Sequence, residues 1–140
     1  MFILELLGKF FAESIYFQFF YNFIRKMQIK NLTKNKIISK NFEICTDIYS
    51  KFMGLMFSKE SNKSLIFVFE KEKIISLHMF FVFYPIDVLF LDKNKVVVDK
   101  KENFKPFAFY NSKRKAMYEI ELPNGTIRKT KTNIGDKIKY

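Results

Sequence analysis

Hydrophobic and polar positions divide the chain into two parts. Residues 1–26 are rich in Phe, Leu and Ile and contain no proline, with Gly8 as their one helix breaker, so this segment predicts a helix. From residue 27 onward, short apolar runs alternate with polar turns, a spacing typical of antiparallel strands. The pattern therefore predicts an apolar N-terminal helix over 1–26, followed by a single β-rich domain over 27–140.

The N-terminal segment is open to three interpretations. As a membrane anchor it is long enough, although Lys9 and Glu13 would lie inside the bilayer at a cost of about 2–3 kcal/mol each. Basic residues on its C-terminal flank would then leave the domain facing the cytoplasm. In the second interpretation Met27 is the true start, residues 1–26 are an over-extended gene start, and the domain is cytoplasmic. In the third, the helix packs against the domain or a partner.

The centre of the domain holds a continuous apolar run at residues 65–69 and two further, largely apolar runs at 74–84 and 86–91. Runs of this length, rich in Ile, Val and Phe, favour strands buried on both faces. The charged residues 70–73 predict a turn between the first two runs, and a short helix is expected to begin at Thr46 or Asp47. The predicted fold is mostly β (α+β), a small antiparallel barrel or sandwich with one or two short helices.

The composition is strongly basic, with 25 Lys and Arg residues against 14 acidic ones and a formal net charge of +11. Such a charge favours contact with nucleic acid or an anionic membrane. The lysines are scattered, however, and arginine, which makes bidentate contacts with bases, is scarce. We therefore interpret the charge as compositional and do not expect nucleic acid as the partner. Cys45 is the single cysteine, which excludes an intrachain disulfide.

Three stretches, in this order, resemble one protein family. They are KFMGLMF at 51–57, HMFFVFYPIDVLFLD at 78–92, and EIELPNGT at 119–126 with GDK at 135–137. Together they resemble the domain-of-unknown-function family numbered 192, over about residues 28–140. The resemblance implies a small, largely β domain of barrel or sandwich type, in a family without a settled biochemical activity. Many members have an arginine before Gly-Leu-Met where this chain has Lys51, so no role for a guanidinium group is carried over.

The candidate functional residues are Lys51, Gly54, Met56, His78 and Asp87. Asp87 interrupts an apolar run, so it is either an acid, base or ligand-orienting group, or a structural carboxylate held by backbone amides around Pro85; we favour the structural interpretation. His78 would need Asp87 beside it to act as a base, and we favour a local hydrogen bond instead. Met56 and neighbouring aromatic residues are interpreted as core more readily than as a ligand pocket.

Other chemistry is weakly supported by the sequence. One histidine and one cysteine cannot build a His- or Cys-rich metal site, and we find no phosphate-binding loop, nucleophile elbow or paired-carboxylate motif. No cofactor or metal is expected. The leading hypothesis is a non-catalytic binding module for a small ligand or protein partner, with residues 1–26 as a possible membrane tether. The alternatives are a small enzyme using Asp87 with His78 or Lys51, and nonspecific nucleic-acid binding through lysines.

Overall fold

A computed structural model describes residues 15–16, 27–47, 55–56, 59–60 and 62–140. The elements whose bounds are described are β1 (Ile29–Asn31), β2 (Lys36–Ser39), β3 (Phe42–Cys45), β4 (Ser64–Lys73), β5 (Ser76–His78), β6 (Ile86–Leu91), β7 (Val97–Phe104), β8 (Phe109–Asn111), β9 (Ala116–Pro123), α1 (Thr126–Thr130) and β10 (Ile138–Lys139). The mostly β class predicted from the apolar runs is confirmed.

The strands form three sheets. A central five-stranded sheet has the order β3-β4-β9-β6-β7, a three-stranded sheet the order β10-β1-β2, and β5 pairs with β8. Within the central sheet β3 is parallel to β4, and the other pairs are antiparallel. The predicted barrel is wrong, because these sheets do not close: β3 and β7 lie at opposite edges of the central sheet. Smaller layers cover both faces of that sheet instead, so its apolar side chains are buried without closure.

One face of the central sheet packs on the three-stranded sheet and α1. Ile66, Leu89 and Ile120 lie opposite one another on β4, β6 and β9, and all three are fully buried. They belong to one core cluster with Ile29 of β1 and Ile127 of α1. Alternate positions of the same strands point to the other face, which is why nearly continuous apolar runs are needed here.

The second face packs on the β5–β8 pair and the loops beside it. Val88 and Phe90 of β6 form a core cluster with Ile75 and Met79 from the β5 region. The ring of Phe90 stacks on that of Tyr110 in β8, with centroids 5.8 Å apart. This layer matters for function because it covers the part of β9 described below.

Two sequence predictions about local structure need correction. The charged residues 70–73 do not form a turn: β4 continues through them, and Lys73 pairs with Ala116 of β9. Pairing with a long neighbouring strand outweighs the weak local preference of these residues for a turn. The run 74–84 contributes only the three-residue β5, followed by an irregular segment.

The predicted N-terminal helix lies almost entirely outside the described residues. Of residues 1–26 the structure describes Ile15 and Tyr16, which are helical and exposed. The predicted helix from Thr46 onward also falls largely outside the described part. Within the described residues, we find no helix with the length and apolar character that a bilayer crossing requires.

Candidate functional site

Asp87 is buried at the start of β6, and both of its carboxylate oxygens accept hydrogen bonds. Its Oδ1 accepts from the backbone N–H of Asn103 at 2.9 Å, and its Oδ2 from the backbone N–H of Ile127 at 2.9 Å. These donors come from β7 and α1, 16 and 40 residues away along the chain, and not from the residues around Pro85. Asp87 therefore ties two distant segments to β6.

The bond to Ile127 serves the N-terminus of α1. Gly125 occupies the N-cap position with φ 84° and provides no side-chain cap. A glycine fits there because the left-handed conformation is open to it without strain. The carboxylate of Asp87 takes the place of the missing cap, accepting from an N–H that would otherwise be buried without a partner. This geometry leaves Asp87 no free oxygen with which to act on a substrate.

The other candidate residues are not gathered around Asp87. His78 is exposed at the end of β5, paired with Phe109 of β8, and its ring lies 5.2 Å from that of Phe80. Met56 is partly buried, whereas Lys51 and Gly54 lie outside the described residues. The pairing of His78 with Asp87 that an acid–base role would require is therefore not present.

A different pair of carboxylates occupies the centre of the molecule. Glu119 and Glu121 lie two residues apart on β9, so both side chains point to the face covered by the β5–β8 layer. They line a cavity of about 290 Å³. Its remaining lining is mostly apolar and comes from the neighbouring strands and the segment between them: Phe67, Phe69, Lys73, Ile74, Ile75, Ser76 and Leu77.

Both carboxyl groups keep an oxygen without a hydrogen-bond partner among the described residues. Glu119 is only 2% exposed, and its Oε1 is one of these atoms; the other is the buried Oε2 of Glu121. Buried polar atoms are almost always bonded, so two adjacent exceptions require an explanation. Both residues also line the cavity, and acceptor groups there that lack donors are suited to a ligand that brings donors with it.

Burial also changes the protonation of the pair. Desolvation raises the pKa of Glu119 well above its usual range, and the neighbouring carboxylate of Glu121 raises it further. Desolvation raises the pKa of Glu121 to about 7, an effect partly offset by the hydrogen bond that it accepts from Glu119. Both shifts favour the protonated carboxyl, so near neutral pH the pair carries less negative charge than two exposed glutamates would.

Two further side chains border this site. The Nζ of Lys73 lies 4.5 Å from the ring centroid of Phe69, and no ion pair joins Lys73 to either glutamate among the described residues. Cys45 lies on the same face of the sheet, where burial raises the pKa of its thiol and the charges of Glu43 and Glu121 raise it further. A thiol with a raised pKa is a poor nucleophile, so Cys45 acts as a core residue. The described residues also contain no group of three metal-ligating side chains.

Sequence reasoning missed the glutamate pair because β9 alternates like a half-exposed strand. In the segment EIEL, polar and apolar residues take turns, which indicates a polar face in water. The structure covers that face because β9 lies between β4 and β6, two strands whose apolar runs are buried on both sides. Strand order would have identified the pair, but strand order cannot be read from one sequence.

The fold and the cavity define a class: a small, three-layered, mostly β domain with a buried carboxylate pair. Comparison with known proteins identifies the family to which the chain belongs. The model of the family DUF192, described as "Uncharacterized ACR", matches residues 28–140. The chain belongs to this family, as the ordered motifs predicted.

Named relatives agree with this assignment, and a solved structure shares the fold. A UPF0127 protein of Thermococcus sibiricus is 38% identical over 112 residues, covering 79% of this chain and 72% of that protein. A UPF0127 protein of Pyrococcus furiosus is 39% identical over 112 residues, covering 79% and 95%. A solved structure from Sinorhizobium meliloti, described as a "putative transcription regulator", superposes with a TM-score of 0.70 at 20% identity, covering 80% of this chain and 89% of that one. At that identity the likeness shows the fold alone.

Proposed function

We propose that this domain binds a small ligand with a cationic or N–H donor group in the cavity between β9 and the β5 segment. The observation that carries this proposal is the pair of unpartnered, buried oxygens on Glu119 and Glu121. An ammonium group placed between them would supply the missing donors and balance the charge of the pair. The apolar side chains around them would hold a hydrocarbon body.

The size and lining of the cavity limit the ligand. A volume of about 290 Å³ lies at the lower end of small-molecule sites. Phe67, Ile75 and Leu77 contribute apolar surface, so an amine with a short aliphatic or aromatic body fits better than a polyol. Lys73, at the edge of the cavity, offers a positive charge to a second, anionic group on the same ligand.

The donor arrangement favours binding over the enzymatic alternative built on Asp87. Both oxygens of Asp87 are bonded to backbone amides, and His78 is exposed on another sheet. A binding function requires no catalytic base at these positions, only a preformed cavity with unmet acceptors. A membrane tether through residues 1–26 is compatible with this function and independent of it.

The test uses the full chain with benzylamine as the probe and benzyl alcohol as its neutral counterpart of similar shape. We expect benzylamine to shift the amide NMR signals of Phe67, Ile75 and Leu77, with a weaker response to benzyl alcohol. Binding should strengthen from about pH 6 to about pH 8, because Glu121, whose pKa is about 7, loses its proton in that range.

The matched variants separate the pair from general charge effects. The double change Glu119→Gln with Glu121→Gln should abolish the preference for the amine, whereas Glu70→Gln, an exposed position on β4, should leave it unchanged. The proposal is wrong if the amine gives no shifts at these amides. It is also wrong if the double variant binds benzylamine as well as the native chain does.

A further inference from the structure

Aromatic side chains are concentrated at one end of the β5–β8 layer. Phe80, Phe83, Phe107 and Phe109 form this aromatic tip, with Phe83 63% exposed and Phe109 69% exposed. They lie in the loop after β5 and in the loop that leads into β8, with Phe109 as the first residue of β8; backbone hydrogen bonds from Met79 to Ala108 and from Phe107 to Met79 join the two segments. Exposed apolar side chains scattered singly are ordinary on a protein surface, but a cluster of this kind indicates an interaction site.

The backbone holds these rings outward. Phe107 has φ 60°, a conformation that bulky residues rarely adopt. Phe80 packs edge-on against Phe109 at a centroid distance of 4.9 Å, and Phe83 packs edge-on against Phe107 at 6.0 Å. The tip is therefore a protruding cluster of rings that pack edge to face, and the strained backbone at Phe107 exposes it to the solvent.

The charge around the tip has a single sign. Residues 76–85 and 104–115, which contain the tip and its flanks, include no aspartate or glutamate. Their charged residues are all basic and exposed; Lys105 lies beside the tip, whereas Lys113, Arg114 and Lys115 follow the other end of β8. Apolar rings beside a basic side chain, with no acidic residue among them, complement a surface that is negative at its boundary and apolar beneath.

We infer that the aromatic tip docks on an anionic lipid membrane, with its phenylalanine rings inserted at the interface and Lys105 on the headgroups. Single-stranded nucleic acid fits the tip less well, because bases stack on flat ring faces. Here Phe80 and Phe109 meet at 88° and Phe83 and Phe107 at 71°, so in each pair the edge of one ring covers a face of the other and no flat stacking platform is formed. Membrane insertion requires only exposed apolar volume, which the aromatic tip provides.

The experiment places a reporter on the tip of the full chain, which has no native tryptophan. Phe109→Trp provides the tip reporter, and Ile134→Trp the matched control. Ile134 is 57% exposed and precedes β10, in the layer on the opposite face of the central sheet. Each variant is mixed with phosphatidylcholine vesicles with and without phosphatidylglycerol, and with vesicles of the same compositions containing brominated lipid.

We expect the tip reporter to shift to shorter wavelength and to be quenched by brominated lipid in the phosphatidylglycerol vesicles, while the control reporter stays unchanged. Changing Lys105 to Gln should weaken binding roughly fivefold. The same change at Lys36 or Lys139, which are exposed in the opposite layer, should have a smaller effect.

Three results would overturn the inference. The first is a tip reporter that stays in water while the protein is bound, because attachment through residues 1–26 would then explain the binding. The second is a tip reporter already shielded in buffer alone, which would indicate a second copy of the chain on the tip. The third is stronger quenching by oligothymidylate than by vesicles, which would indicate nucleic acid.

Discussion

The domain buries carboxylates in two regions, on opposite faces of the central sheet, and the two regions supply them with different numbers of hydrogen-bond donors. Asp87 lies on the face shared with α1, where backbone amides occupy both of its oxygens. Glu119 and Glu121 lie on the other face, where each keeps a buried oxygen without a partner among the described residues. The difference teaches that burial alone does not identify a functional acid; the number of donors the fold supplies does.

Two further buried acids follow the pattern of Asp87. Asp99 accepts from the hydroxyl of Tyr110 at 2.9 Å and from the backbone N–H of Lys113 at 2.8 Å. Asp136 accepts from the side-chain amide of Asn31 at 2.8 Å. Each of these carboxylates connects segments that are distant in the chain, so they act as structural ties. Among these buried acids, only the glutamate pair has oxygens without partners that could accept hydrogen bonds from a ligand.

The largest expected effect comes from removing the tie at Asp87. Asp87→Ala leaves the amides of Asn103 and Ile127 buried without an acceptor, and we expect it to lower the free energy of unfolding by about 3 kcal/mol. Asp87→Asn keeps one acceptor oxygen and should lose about half as much. Urea denaturation at neutral pH measures both. A loss below about 0.5 kcal/mol for Asp87→Ala would contradict a structural role.

The glutamate pair, unlike Asp87, should destabilise the folded state when it is charged, and the pH dependence of stability should show this. Because both pKa values are raised in the folded state, the native protein binds more protons than the unfolded chain above the ordinary glutamate pKa of 4.5. The free energy of unfolding should therefore fall as pH rises from about 5 to about 8, by an amount on the order of 2 kcal/mol. Denaturant titrations across this range measure the slope.

The control for this slope removes the glutamate pair from a chain that also lacks the single histidine. Changing Glu119 and Glu121 to Gln should flatten the curve and raise stability at about pH 8, since uncharged amides replace a desolvated carboxylate. The comparison is made in a chain carrying His78→Asn, so that no histidine contributes to the titration. A slope that survives the double change would refute this assignment of the raised pKa values.

The smallest expected effect is at His78 itself. Its side chain is exposed, so His78→Asn in the otherwise native chain should change the free energy of unfolding by less than about 0.5 kcal/mol and leave benzylamine binding unchanged. Thermal unfolding and the NMR titration check this. A weakened response to benzylamine in this variant would show that the exposed end of β5 affects ligand binding in the cavity, which would contradict this expectation.

Some of this molecule could be predicted from its sequence because the information is local. Asp92 and the turn after β6 were predictable, since an Asp-Lys-Asn tripeptide between apolar runs has intrinsic turn chemistry. Asp87 was recognisable as a polar residue that a buried strand must satisfy. Its actual donors, at Asn103 and Ile127, were not predictable, because they reach it only through the order of the strands.

The candidate site shows where local information ends. Glu119 and Glu121 have the spacing of a solvent-facing strand edge, and only the position of β9 between β4 and β6 buries them. The same dependence on tertiary pairing explains why β4 continues through its charged residues 70–73. The barrel prediction failed for a related reason, since closure depends on edge pairing between β3 and β7, which no local pattern encodes.

The central position of β9 also governs when the domain can fold during its synthesis. β4 and β6 leave the ribosome first, as apolar strands that pair with each other only through residues 116–123. Until those residues emerge, long unpaired edges are exposed to other nascent chains. Assembly of the central sheet is therefore a late event in translation.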